Sequence, residues 1–358
     1  DTENGVVESS EPRLAPSSRN CTAATPTLSD AVAPTVTDPL TDAPVAGAGV
    51  GDGGGADIFP LGAERFDDRG QHEPFDVGAR GEVRAELVAL DMNTPFTAAR
   101  ARNAGAVLAL KLKPDLDFLQ FVDGDCEVDA GWLDTAHDFL RANDGVAAVF
   151  GRRRERYPER SVFNRLCDME WNVPPGEVRS CGGDVMMRTE ALRRAGGYRE
   201  DLIAGEEPEL CIRIRAAGWT IRCLDAPMTL HDAAILRWGQ WWMRTKRTGC
   251  AFAECSRLFG APPERHWVRE SRRSRIWGMA LPALIAVLSL AVSPWFVLLL
   301  GMYPLQMLRL YFRKSGEPRQ RALQSVFTTL GYFPEAAGHL RYWRQRLIDK
   351  RSALIEYK

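Results

Sequence analysis

The order of apolar and polar side chains has no sustained period over the first eighty residues and becomes regular near Glu82. Val83, Ala85, Leu87 and Ala89 alternate with more polar neighbours, the two-residue period of a short strand. Asn93-Thr94-Pro95 reads as a turn, and the small residues over 96–111 as a helix. The run FLQFV (118–122) is compact and stops abruptly at Asp123-Gly124-Asp125, the pattern of a central buried strand. A helix near 130–142 places Trp132, Ala136, Phe139 and Leu140 on one face, and VAAVF (146–150) follows as a strand. Residues 151–160 carry Arg152, Arg153, Arg154, Arg156 and Arg160 and read as a solvated basic loop, or as a contact for an anionic substrate. CGGDVMMR (181–188), a helix from Thr189, a turn at Gly196-Gly197, a helix from Glu206 and the strand WTIRCL (219–224) complete the series. Strands alternating with helices predict an α/β sandwich.

Beyond this core, Ile276 to Leu308 contains 33 residues without a formal charge, interrupted by Pro282, Pro294, Gly301 and Pro304. One span needs about 20 apolar residues, so the run exceeds one and falls short of two full spans. Arg269, Arg272, Arg273 and Arg275 precede it, and Arg309 and Arg313 follow it. With positive charge on the cytoplasmic side, both ends lie on one side, which favours a helical hairpin dipping into the bilayer. A single tilted span and a buried soluble core are the other two readings. The segment 334–358 mixes Leu340, Tyr342, Trp343, Leu347 and Ile348 with Arg341, Arg344, Arg346 and Arg351, the pattern of an amphipathic interfacial helix.

Charge changes this picture through its distribution, since the net value is only −1. Residues 1–80 hold 14 Asp/Glu against 5 Lys/Arg, whereas 237–275 hold 10 Lys/Arg against 3 acids and 309–358 hold 11 against 4. Basic flanks around an apolar run point to an anionic membrane surface and away from nucleic acid, which demands a basic stripe across the folded domain. The eight cysteines have no CxxC spacing and a chain of 358 residues needs no staples, so they read as reduced thiols in a cytoplasmic setting. Three parts result: a low-complexity segment 1–81, a core 82–258, and a helical, membrane-associated region 259–358. The first is read either as a disordered tail or as a nucleotide-binding part translated out of frame.

Three clusters carry candidate chemistry. Asp123 and Asp125 close a buried strand, and two carboxylates separated by Gly suit Mg²⁺ or Mn²⁺, although a turn capped by aspartates gives the same motif. Glu206, Glu207 and Glu209 crowd the start of a helix; they complement its dipole, and three acids exceed what a cap requires, which leaves one for a general base. His231-Asp232 ends an apolar stretch and reads as a metal ligand or as a satisfied core histidine.

QFVDGDCEVDAGWLD (120–134), the block from CGGDVMMR to AAGW (181–219), and MTLHDAAILRWGQWWMRTKRTG (228–249) together resemble family 2 glycosyltransferases, with ARNAG (101–105) similar to their Arg-Asn-x-Gly segment. The resemblance covers about 83–258. It implies a GT-A-like mixed sheet flanked by helices. It further implies Asp123 and Asp125 on a divalent ion that bridges the donor diphosphate, Arg102 and Asn103 with Asp123 near the nucleotide, and His231 completing the metal shell. Glu206-Glu207 correspond to the acidic pair that supplies the base, Glu207 at the second position, and Gly182, Gly183 and Asp184 to the loop where acceptor meets donor sugar. The implied reaction is inverting transfer from a nucleotide-diphosphate sugar to a saccharide or lipid-linked acceptor, at the cytoplasmic face of the inner membrane, in envelope or exopolysaccharide synthesis. RWGQWWMR (237–244) does not match the QxxRW signature of processive synthases, so single addition is expected. The family's N-terminal strand, Pro-x-x-Asn-Glu-like turn and Asp-rich segment are not recognisable in 1–82. A metal-dependent nucleotidyltransferase and an inactive membrane-tethered remnant or scaffold are the competing readings.

Overall fold

A computed structural model describes residues 33–36 in backbone only, then 86, 88–91, 93, 94 and 96–348. Along the chain these form β1 (Ala33–Val36), α1 (Ala98–Leu112), β2 (Phe118–Val122), β3 (Cys126–Val128), α2 (Trp132–Ala142), β4 (Val146–Glu155), α3 (Val162–Trp171) and β5 (Gly176–Val178). They continue with β6 (Val185–Arg188), α4 (Thr189–Ala195), α5 (Glu206–Ala216), β7 (Thr220–His231), α6 (Trp238–Phe259) and α7 (Val268–Arg275). The C-terminal part adds α8 (Leu281–Ala291), α9 (Met302–Arg313) and α10 (Pro318–Leu347).

The strands make one mixed sheet in the order β1-β2-β6-β4-β7-β3, with β5 beside β7. β4 and β7 run parallel and the other pairs antiparallel. Every residue of β2 is buried because helices cover it. Ala99, Ala106 and Ala109 of α1 join Trp132, Leu133, Ala136 and Leu140 of α2 and Leu210 and Ile214 of α5 in the same core. The one polar side chain within β2, Gln120, is satisfied: Trp132 Nε1 donates to its Oε1 at 2.9 Å, and its Nε2 donates to the Phe121 carbonyl at 2.6 Å.

Two strands run further than their apolar runs suggest. β4 continues past Phe150 to Glu155, where 151–160 reads as a loop in the sequence, and β7 extends from the expected end at Leu224 to His231. The reason in β4 is a period-two pattern written in charged residues: Gly151 and Glu155 are buried and Arg153 half-buried, while Arg152 and Arg154 are exposed. The expected strand over 82–89 lies largely outside the described residues, and Val88–Leu90 carry no strand. The low-complexity segment 1–81 also lies outside them, apart from β1, which pairs antiparallel with β2.

After the sheet, α6 packs along α10, an approach permitted by glycine. A Cβ on Gly249 would stand 2.5 Å from Glu335 Cα, and one on Gly338 would stand 2.7 Å from the Cys250 nitrogen. The apolar run starts with a π-helical turn at Ile276–Ala280, continues as α8, and breaks at Val292-Ser293. A 3-10 stretch, Pro294–Gly301, then leads into α9. The second arm folds back on the first, because Tyr303 Oη donates to the Trp277 carbonyl at 2.7 Å. Helices Val268–Ala291 and Pro294–Arg313 are long and apolar enough to cross a membrane, by length and composition. Their apolar side chains face outward: Leu290 is 89% exposed and Trp295 76%, and Ile285 is the buried residue of α8. The expected interfacial helix at 334–358 differs. Its described part is the second half of α10, where Pro334, Ala336, Gly338, His339 and Tyr342 are buried and Leu340, Trp343 and Leu347 remain exposed.

Candidate active site

The turn Asp123-Gly124-Asp125 joins β2 to β3, closed by the Cys126 amide donating to the Asp123 carbonyl at 3.0 Å. β3 and the end of β7 are paired so that Cys126 stands opposite His231. β7 and β4 are paired so that His231 also stands beside Glu155. The long β7 is therefore what carries the histidine to the acidic turn. Asp184, ahead of β6, is buried and organises the turn from below. Its Oδ1 accepts from the Asp123 amide at 2.8 Å, and its Oδ2 accepts from Thr229 Oγ1 at 2.8 Å and from Cys126 Sγ at 3.1 Å.

Two arginines meet at Asp123. Arg102, on α1 and buried, places Nη2 3.0 Å from Asp123 Oδ1 and Nη1 3.0 Å from both Glu206 Oε1 and Glu207 Oε1. Arg153 of β4 places Nη2 2.8 Å from Asp184 Oδ2 and 3.3 Å from Asp123 Oδ2. Burial opposes ionisation of Asp123, yet Arg153 and Arg102 override it and hold the carboxyl at about 2. At the start of α5 the balance is reversed. Burial, with Glu207 as a like charge beside it, pushes Glu206 up to about 7 against the pull of Arg102. Glu206 Oε2 is buried without a partner, whereas the Glu207 side chain is 17% exposed and so is partly open to solvent. Glu209, the third acid of this helix start, is fully buried and bound to Arg213 one turn on, a structural pair.

Gly183 makes the junction possible. A Cβ there would lie 2.5 Å from Arg102 Nη2 and from Asp123 Oδ1, so any side chain would displace the pair. Gly182 is exposed on the Arg153 side, where an added Cβ would stand in ordinary contact with Arg153 Nη2 at 3.8 Å. Asn103 is placed otherwise. Its amide nitrogen donates to the Tyr198 carbonyl and Glu200, and its oxygen accepts from the Tyr198 amide, so it fastens the loop after Gly197.

One carboxylate oxygen of Asp123, Cys126 Sγ and one imidazole nitrogen of His231 lie within 4.8 Å of one another, and Asp125 Oδ1 stands 3.1 Å from His231 Nε2. Burial, reinforced by Arg153, lowers the His231 pKa and keeps the ring neutral, as a ligand must be. Its Nδ1 is buried without a partner. Cys126 is a poor ligand for a hard cation: burial and Asp184 push its thiol far above the ordinary range, and it already donates to Asp184. Two carboxylates and a neutral imidazole whose Nδ1 is buried without a partner fit a divalent ion such as Mg²⁺ or Mn²⁺. Sequence reading missed Thr229 and Cys126, and it named Arg153 only within a basic loop; the alternation through the arginine run was the signal for its inward position.

No protein-family model matches the chain, and no curated protein does. Among solved structures it is similar to the mannosyltransferase PcManGT from Pyrobaculum calidifontis in complex with GDP-Man and Mn²⁺, at 21% identity and TM-score 0.45 over 72% of this chain and 70% of that one. It is also similar to S. aureus TarS 1-349 in complex with UDP-GlcNAc, at 14% identity and TM-score 0.34 over 75% and 76%. Likeness of this degree assigns no activity.

Proposed function

We propose that this chain is a glycosyltransferase with a GT-A-like core that moves a sugar, with inversion, from a nucleotide-diphosphate donor to an acceptor hydroxyl. The observation that carries the reading is the junction at Arg102: one guanidinium joins the acid closing β2 to the two acids opening α5. Donor-side and acceptor-side groups thus share one cleft. The sequence blocks that resemble family 2 transferases supply these same residues.

Asp123, Asp125 and His231 are the residues that would hold a divalent cation, which when bound neutralises charge building on the departing diphosphate. Asp184 fixes the Asp123 backbone amide and Arg102 the Asp123 carboxylate, and Arg102 also sets the position of Glu207. Glu207 removes the proton of the acceptor hydroxyl as its oxygen bonds to the anomeric carbon and the bond to the diphosphate oxygen breaks. Glu206, held partly protonated near neutrality, keeps a second negative charge away from the base. Gly182 leaves the backbone exposed where donor sugar and acceptor would meet, and Gly183 makes room for Arg102 and Asp123. Fixing the two substrates together contributes on the order of 7 kcal/mol in well-aligned cases.

The outward apolar arms, flanked by arginines, support seating on the cytoplasmic face of a membrane, with a saccharide or lipid-linked acceptor in envelope or exopolysaccharide synthesis. A single addition per encounter goes with the lack of a QxxRW signature. The test is incubation of the full chain in mild detergent with Mn²⁺ and a panel of nucleotide sugars. Release of nucleoside diphosphate, lost in Glu207→Gln, is the expected result. Pyrophosphate release would point to nucleotidyl transfer instead, and absence of both nucleotide binding and turnover would mark an inactive remnant.

A further inference from the structure

The arginine run 152–156 divides into two kinds of residue. Arg152 pairs with Asp225, Arg154 with Asp168 and Arg156 with Glu127, and all three lie toward the surface. Arg153 points the other way, because it occupies the inward phase of β4. Its side chain is 14% exposed, its guanidinium lies 5.5 Å from the centre of the Trp171 ring, and that ring lies 4.6 Å from the ring of His231. It therefore stands on the same cluster as Asp123, Asp184 and His231, beside the exposed Gly182.

Both of its carboxylate partners are served without it. Asp184 keeps the Asp123 amide, the Thr229 hydroxyl and the Cys126 thiol as donors, and Asp123 keeps Arg102. Removing Arg153 leaves both acids with hydrogen-bond donors and Asp123 with Arg102, while the buried Asp184 gives up its ion pair. A guanidinium is also a planar fork of donors suited to phosphate oxygens. A divalent cation arriving on Asp123 repels the guanidinium and takes over its neutralising role, while a diphosphate offers it new oxygens.

We propose that Arg153 is a donor-contacting residue: in the free chain it occupies Asp123 as an internal cation, and on donor binding it passes to the diphosphate oxygens. The inference rests on the nucleotide-sugar reading of this cleft. Arg153 then opposes binding of the ion alone and favours binding of ion and diphosphate together. A merely structural arginine would affect both in the same direction.

The experiment uses the full chain and two readouts other than turnover. Free Mn²⁺ is followed by electron paramagnetic resonance without nucleotide, and UDP and GDP binding by calorimetry at saturating Mn²⁺. In Arg153→Gln, Mn²⁺ alone should bind more tightly, while the nucleotide should bind about tenfold to a hundredfold more weakly, the loss expected for one charged hydrogen-bond partner. Arg153→Lys, which keeps a cation beside Asp184, should leave Mn²⁺ affinity near that of the parent and still weaken the nucleotide; it supplies the same readouts should the Gln variant not fold. A parallel fall in both affinities would make Arg153 a prop for Asp123 and overturn the proposal, as would two unchanged affinities. If the unaltered chain binds neither Mn²⁺ nor either nucleotide, the donor-site reading itself fails and the proposal with it.

Discussion

Replacing Arg102 with Met tests the centre of the site while keeping much of the volume. Arg102 is 3% exposed and lies 3.0 Å from each of three carboxylates, so the substitution leaves Glu206 and Glu207 facing one another without this cation and Asp123 with Arg153 alone. Breaking one buried pair costs about 3–5 kcal/mol. Protonation offers an escape, worth up to about 1.4 kcal/mol for each pH unit. Glu206 already sits at about 7, raised from 4.5, so the folded protein holds more protons there than the unfolded chain does. That contribution is fully present below pH 4.5 and is lost as pH rises through about 7. Removing the cation pushes Glu206 further in the same direction, which makes the variant weakest in alkali. At pH 8 the loss should be about 4 kcal/mol, or roughly 5–8 °C in Tm for a chain of this size, and at pH 5.5 about half of that or less. Thermal and urea unfolding of parent and variant at the two pH values measure it. A loss below about 1 kcal/mol at pH 8, or an equal loss at both values, would refute the buried junction.

Gly183→Ala should weaken Mn²⁺ and nucleotide binding and destabilise the fold by about 1–3 kcal/mol, because its Cβ overlaps Arg102 and Asp123; unchanged binding and unfolding curves would contradict this. Glu207→Gln should lower kcat by about 10²–10⁴ with nucleotide affinity kept, measured by nucleoside diphosphate release alongside calorimetry. Glu206→Gln mimics the protonated acid, so it should gain stability relative to the parent at pH 8 and differ little at pH 5, read from urea midpoints. Asp123→Asn should abolish Mn²⁺ binding seen by paramagnetic resonance while the chain stays folded, since Asp184 still accepts the amide of residue 123.

The core was legible wherever an apolar run coincided with an element. FLQFV marked β2 and its end, and the acidic start of α5 stood out by charge alone. What charge concealed was the tail of β4, where the two-residue period continues through arginines and a hydrophobicity reading stops at Phe150. The role of Arg102 was legible only as proximity to a nucleotide. Its bond to Glu206 joins positions 104 residues apart, which no local pattern encodes. Asn103, one residue on, proved to face the Tyr198 loop, because successive helix residues point about a hundred degrees apart. The acids of α5 looked alike in sequence and differ by burial: Glu209 is spent on Arg213, Glu206 is sealed in, and Glu207 is open.

The glycine contacts between α6 and α10 carry a mechanical consequence. α6 leaves the sheet shortly after His231, and α10 meets the root of the apolar arms where a Cβ on Gly278 would stand 2.6 Å from Ala336 Cβ. Backbone rests on backbone at these glycine joints, and side chains such as Arg257 on Tyr342 and Trp241 on Phe327 tie the same two helices beside them. The arms are thus joined through α10 and α6 to the strand end that carries His231.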